Sequence, residues 1–394
     1  MSTSMFTIDD EDRYSRLRLI SWWKQEQLRA AKILVVGAGA LGNEVLKNLA
    51  LLGVGQIYVV DFDLIEHSNL TRSVLFRARD RGRSKAEAAA EALRDMNPDT
   101  HVTPLRANII TEVGLGLFHE VDVVIGCLDN REARLWVNRQ CWKVGTPWID
   151  GGIQEISGVV KVFQPPHSAC YECAMTENDY RLINLRYSCP LLSREEIMAG
   201  RVPTAPTISS FIAALQTQEA LKLLHGIPVA SGQALVFSGL TNQFYTTNLP
   251  FKEDCLSHDP YPEPIALPLA AASTTANALF AAAREHFSSD GELSLGLERD
   301  LVVAFECHAC KNKTRVMRVQ QAVRSTEATC SCGETRLPIF ANNVEPGDEL
   351  SEETLSSLGI PPYDLIRLTC GNEQQAFLLE GDRALVVHDA ISPG

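Results

Sequence analysis

Gly37, Gly39 and Gly42 stand in the run VVGAGALGNEVLKNLALLGVG, residues 35–55, after a β-rich stretch and at the head of a pattern with helical period. That spacing lets phosphate oxygens approach backbone N–H groups at a helix N-terminus, where the peptide dipoles favour negative charge. Asp61 closes the next predicted strand and is placed to accept ribose hydroxyls. Those residues suit NAD and ATP equally, so the glycines alone do not choose between hydride transfer and nucleotidyl chemistry. The segment that follows is less neutral. DFDLIEHSNLTR puts Asp61, Asp63, Asn69 and Arg72 within twelve residues, and Lys85 stands in the first turn of a helix with a capping box from Ser84 to Glu87. Cations beside the loop serve a triphosphate and have no task in hydride transfer. Asp129, in GCLDN, falls just past a strand end, where a carboxylate can hold the Mg²⁺ that accompanies ATP. An NAD-dependent oxidoreductase is the competing reading of the same glycines.

Cysteine supplies a second set of chemical candidates. The chain has eleven, and Cys307, Cys310, Cys330 and Cys332 are spaced C-x2-C-x19-C-x-C, the pattern of a zinc ribbon. His308, between two of them, reads as a bystander. Cys127 lies in an apolar run and Cys141 continues the helical spacing of Ala133 and Val137, so both read as core. Cys370 is given no role. Cys189 sits in a polar, proline-punctuated stretch, RLINLRYSCPLLSREEIMAGRVPTAP, where a thiol is accessible and Arg186 and Arg194 raise its thiolate fraction.

Elements that can position these groups follow from the apolar periods. With 394 residues and 45% apolar content the chain can bury two or three cores. Strands are predicted at 33–37, 56–61, 101–105, 121–128, 147–150 and 159–164, alternating with helices, which implies an α/β fold with a largely parallel sheet covered on both faces. Prolines in PYPEP, residues 260–264, mark a linker; beyond it an alanine-rich helix near 270–287 precedes short β-like runs. The division is therefore 1–264 and 265–394. Thirty-six Lys and Arg against 49 Asp and Glu leave a charge of −13, which repels nucleic acid and anionic membranes. Within the basic cluster, Arg77, Arg79 and Arg81 read as solvated surface. No signal peptide or membrane span is recognisable, so a soluble cytoplasmic protein is expected.

From about Arg13 to His258 the ordered series of motifs resembles the ubiquitin-activating enzyme family, which includes the adenylyltransferases that activate sulfur-carrier proteins in thiamine and molybdopterin synthesis. The series is RYSRLRL, GAGALGNEVLKNLALLGVG, DFDLIEHSNLTR, GRSK, CLDN, CYEC and TISSFIAALQTQEALKLLHG. GNEVLKNLAL is closer to the ubiquitin branch, and Ser73 departs from the glutamine common in relatives. The resemblance implies a doubly wound, Rossmann-like adenylation domain with a crossover segment near 174–206, followed here by a smaller α+β zinc-containing domain. It also implies a reaction: the C-terminal carboxylate of a glycine-ended ubiquitin-like protein attacks the α-phosphate of ATP, releasing pyrophosphate. Arg72, Lys85 and a metal on Asp129 would neutralise the developing charge.

By the same resemblance Cys189 takes the acyl group as a thioester and passes it to a conjugating enzyme. Arg16 would reach across a homodimer to the partner's ATP, a helix-end salt bridge being its alternative. Cys170 and Cys173 would bind Zn²⁺ with Cys255 and His258, although a rival pairing borrows Cys307 and Cys310. A sulfur-carrier adenylyltransferase without a conjugating enzyme is the alternative within the fold. The segment beyond 265 is expected to recruit the conjugating enzyme, so that its deletion spares adenylation.

Overall fold

A computed structural model describes residues 12–188 and 203–388 of the chain. Its first sheet has eight strands in the order β3-β2-β1-β4-β5-β6-β7-β8. Strands β1 (Lys32–Val36), β2 (Gln56–Val60), β3 (His101–Leu105), β4 (Val123–Gly126) and β5 (Trp148–Gln154) run parallel. Then β6 (Ser157–Phe163), β7 (Gln233–Ser238) and β8 (Gln243–Asn248) continue it antiparallel. After Lys32 and Gln56 the runs ILVV and IYVV, like VVIG in β4, are apolar and buried throughout because both faces of the sheet are covered. Strands β7 and β8 escape the sequence pattern, since β7 is only partly buried and β8 is exposed along its length.

Alternation along β1 and β2 divides the core in two. Ile33, Val35, Ile57 and Val59 face a cluster with helices α2 (Ala40–Leu52) and α3 (Lys85–Met96). Leu34, Val36, Tyr58 and Val60 face the other way, toward α4 (Leu115–Glu120) and α5 (Arg131–Val144). Among the described residues the first unit also has α6 (Glu177–Ser188) and α7 (Pro206–Leu224), with the short α1 (Gln25–Ala30) before β1. Among the described residues no helix is long and apolar enough to cross a membrane.

A second sheet begins at β9 (Ile265–Leu267), next to the proline-rich linker. It comprises β10 (Leu293–Cys307), β11 (Lys313–Val319), β12 (Arg336–Val344), β13 (Leu365–Cys370) and β14 (Glu373–Leu379), with helix α8 (Ala276–Ala283) against it. The two sheets are not independent. Tyr363, Leu365, Ala376 and Leu378 belong to the same core cluster as Leu34, Tyr58, Leu117 and Phe118. Polar contacts lock the seam: Leu115 N donates to Asp364 (2.6 Å), Gly116 N donates to Tyr363 O (3.1 Å), and buried Arg299 donates to the carbonyls of Ile110 and Val113. A Cβ on Gly116 would lie 2.3 Å from Tyr363 O, so only glycine permits this approach. Deleting residues from 266 onward would therefore uncover Leu117 and Phe118.

Candidate active site

The C-terminal ends of β1, β2, β4 and β5 open into one cleft of about 1900 Å³. At its floor the chain leaves β1 through Gly37, whose φ of 98° is a left-handed conformation. A Cβ there would sit 2.5 Å from Cys127 O, and one on Gly42 would sit 1.9 Å from Gly37 O. Gly39 has nothing within 4 Å of its Cβ direction and leaves α2 without a side-chain cap, so the helix N-terminus faces the cleft bare. Gly42 lies behind this loop, where it lets the helix close on Gly37.

Asp61, at the end of β2, accepts bonds from Ala38 N (2.7 Å) and Asp63 N (2.8 Å). Burial pushes its carboxyl above the ordinary range, against the pull of Lys85 and those two N–H groups. Lys85 enters from the first turn of α3, held by Ser84, whose Oγ accepts from Glu87 N at 3.4 Å. Its Nζ is 2.7 Å from Asp63 Oδ2, and the side chain is 11% exposed. Arg72 donates to Ser68 O (3.1 Å), and Asn69 Oδ1 closes the same turn by accepting from Glu66 N (2.9 Å). Asp129 is exposed at the end of β4, beside Asn130, which caps α5 by accepting from Ala133 N (2.8 Å).

Gly37, Gly39, Asp61, Asp63, Asn69, Arg72, Lys85 and Asp129 thus line one cleft, although the sequence separates them by up to 92 positions (129 − 37). Arg77, Arg79 and Arg81 do not line it. Nor does Arg16, which is exposed and forms no ion pair among the described residues; its neighbour Arg18 pairs with Asp12 at 3.0 Å. Cys189 lies outside the described residues, as do Pro190 and Arg194. Cys127 borders the cleft with its thiol driven well above the ordinary range by burial, and Cys141 is buried in α5, so neither is a ready nucleophile.

Sequence reasoning passed over several residues here. Asn43 is fully buried, donating to Ala38 O (2.7 Å) and accepting from Leu75 N (2.9 Å), which staples the glycine loop to the segment after Arg72. Arg134 donates to Leu128 O (2.7 Å) and Gly151 O (3.0 Å) and pairs with buried Asp150 (2.9 Å), fixing the loop that carries Asp129. Gln216 of α7 donates to Gly126 O (2.9 Å) and Ile149 O (3.2 Å), tying β4 to β5 below the cleft. The available signal was a polar residue at an apolar phase of a helix, visible for Asn43 and Gln216 but silent about its partner.

Two clusters of soft donors lie away from the cleft. Cys170, Cys173, Cys255 and His258 have their ligand atoms within 4.8 Å of one another, as do Cys307, Cys310, Cys330 and Cys332. In the first, Cys170 Sγ is 3.6 Å from both Cys173 Sγ and Cys255 Sγ, and Cys173 Sγ is 3.4 Å from His258 Nε2. A tetrahedral zinc with Zn–S near 2.3 Å has S···S edges of about 3.8 Å, so both the donor set and the spacing fit that ion. His258 stacks on Trp142, with ring centroids 3.9 Å apart. Glu172 accepts bonds from Arg139, Ser257 and Tyr180, bracing the two turns together. In the second cluster Cys307–Cys332 and Cys310–Cys330 are each 3.6 Å apart, so the rival pairing across the two groups is not the one adopted.

A family model described as ThiF family matches residues 12–257. Ubiquitin-like modifier-activating enzyme 5 of Dictyostelium discoideum is 30% identical over 62% of this chain and 67% of its own length. The sulfur carrier protein ThiS adenylyltransferase of Escherichia coli strain K12 is 31% identical over 63% of this chain and 96% of its own length. Among solved structures, E. coli MccB with ATP is 25% identical and superposes with a TM-score of 0.51 over 63% of this chain and 75% of that one.

Proposed function

Because the chain belongs to the ThiF family, an enzyme family, we propose that it adenylates the C-terminus of a glycine-ended ubiquitin-like or sulfur-carrier protein. The observation that carries this reading is the single cleft joining the bare helix N-terminus at Gly39 to Asp61, Arg72, Lys85 and Asp129. Triphosphate oxygens meet the N–H groups of α2, the ribose meets Asp61, and the carrier's carboxylate attacks the α-phosphorus in line. A P–O bond forms to the carboxylate, the bond to the β-phosphate oxygen breaks, and pyrophosphate leaves. Arg72 and Lys85 stabilise charge on the transferring phosphoryl group. Asp129 would hold the Mg²⁺, which supplies further charge neutralisation. The two cysteine clusters would hold Zn²⁺ as closed structural sites.

The finer reading is an activating enzyme of the ubiquitin-like type. Cys189 Sγ attacks the acyl adenylate, AMP leaves, and the thioester passes to a conjugating enzyme, with Arg16 acting across a cytoplasmic homodimer. A second reading, a sulfur-carrier adenylyltransferase, is favoured by the near-complete coverage of the ThiS adenylyltransferase. Carrier-dependent exchange of pyrophosphate into ATP tests adenylation, and its absence with every diglycine-tailed partner would overturn the proposal. A thiol-sensitive carrier adduct that disappears in Cys189→Ala while exchange persists selects the first reading. An adduct-free enzyme with full exchange selects the second.

A further inference from the structure

Between Cys307, the last residue of β10, and Cys332, just before β12, the chain runs out along β11 and past the cleft, which Gln320, Gln321 and Val323 border. This excursion has little of its own to hold it. β11 pairs on one side only, with β10, and among the described residues none from 320 to 329 belongs to a hydrophobic core cluster. Arg318 and Arg336 both reach Glu327, which folds the outer part of the loop upon itself. Its base is closed by the four-cysteine cluster, through contacts between residues 25 and 20 positions apart. A loop of that length without a core owes its order to its closure.

The two soft-donor clusters differ in what water can reach. Cys170 and Cys173 are fully buried, and the His258 ring beside them is stacked on Trp142 and lies 5.2 Å from Phe251. In the ribbon Cys310 and Cys332 are exposed, while Cys307 and Cys330 are buried. The pairing matters: each exposed sulfur stands 3.6 Å from a buried one, Cys332 from Cys307 and Cys310 from Cys330. Accessible zinc thiolates with a second thiolate in reach are the arrangement that an oxidant attacks and a neighbour resolves.

We propose that the ribbon cluster is an oxidative modification site, at which a hydroperoxide exchanges zinc for two disulfides, Cys310–Cys330 and Cys307–Cys332, while the loop beside the cleft stays closed. The exposed thiolate attacks a peroxide oxygen, the O–O bond breaks, and a sulfenic acid and hydroxide form. Its buried neighbour then attacks the sulfenic sulfur, the S–O bond breaks, and a second hydroxide leaves as the S–S bond forms. Per disulfide, two thiolates and two protons are consumed with one hydrogen peroxide, giving two waters. Both bonds span the turns that zinc spanned, so the cross-link survives the loss of the metal.

This inference rests on the zinc reading of the clusters and is independent of adenylation. The full chain, purified under reducing conditions and then freed of reductant, is treated with hydrogen peroxide beside a chromogenic zinc chelator. One zinc per chain should be released, and the second at least about tenfold more slowly, because its thiolates are covered. Peptide mapping should find the links Cys310–Cys330 and Cys307–Cys332, with Cys170 and Cys173 still reduced. Amide hydrogen exchange over residues 313–329 should stay within about twofold of the untreated protein, whereas reduced chain stripped of zinc by a chelator should exchange there at least about tenfold faster. Equal rates of release from the two clusters would overturn the proposal, as would links within Cys307–Cys310 or Cys330–Cys332, or exchange that rises as much on oxidation as on stripping. So would a stripped reduced chain that exchanges no faster than the untreated one. If the reduced protein holds no zinc at the ribbon, the zinc reading itself fails and takes this inference with it.

Discussion

Replacing Lys85 by alanine tests the electrostatic core of the site. Lys85 is 11% exposed and its present partner, Asp63, is 50% exposed, so truncation leaves a carboxylate that water can reach, and folding should lose no more than about 1 kcal/mol. The nucleotide loses more. A charged hydrogen bond to a phosphoryl oxygen is worth about 1.5–3 kcal/mol, and the bare Coulomb term at about 4 Å and an effective dielectric of about 20 sets a ceiling near 4 kcal/mol. Taking about 2–3 kcal/mol as the loss in the transition state, kcat/KM for carrier-dependent pyrophosphate exchange should fall roughly 30- to 150-fold. Arg77→Ala, outside the cleft, should leave exchange within about twofold, because its guanidinium is spent on the carbonyls of Val74 and Phe76. Full exchange activity in Lys85→Ala, at an unchanged melting temperature, would refute the claim that this cation faces phosphate.

Other outcomes follow from the same geometry. Asp61 must be ionised to accept ribose hydroxyls and its pKa is raised by burial, so ATP affinity should drop on acidification at a pH above the ordinary carboxylate value of about 4. The sign for folding is opposite: an acid with a raised folded pKa favours the fold at low pH and disfavours it as pH rises through that pKa; Asp61→Asn should bind ATP poorly, and because its amide offers an acceptor to only one of the Ala38 and Asp63 N–H groups it should also melt lower at pH 7. Arg299→Ala strands buried Asp364, its partner at 3.3 Å, and should cost about 3–5 kcal/mol, read as a large fall in the denaturant midpoint; a shift of a few tenths would show the seam to be incidental. Metal analysis should find two zinc ions per chain, falling to one in His258→Ala and staying at two in His258→Cys.

The first half of the fold was legible because its signals are local. Continuous apolar runs bounded by glycine identify β1, β2 and β4, and the serine cap and the Asn97-Pro98 stop bracket α3. The cysteine pairs carry their ligand spacing in the sequence, and the four-cysteine cluster assembles as its spacing implies. Strands β7 and β8 were not legible, since an edge with one wet face has no apolar run to mark it. Asn43 and Arg134 were missed for another reason: each acts through backbone carbonyls or N–H groups, which look alike in every residue and leave no trace in the side-chain code.

By itself the sequence determined which residues carry charge, which can ligate metal and where a glycine loop meets a helix, because those properties belong to single residues and short spacings. Only the tertiary structure decided that Gln320, Gln321 and Val323 border the cleft that begins at Gly37, and that the second sheet shares a core with the first. The physical reason is that strand register and interlocking side-chain volume bring together positions hundreds of residues apart, and neither is encoded in any window short enough to read along the chain.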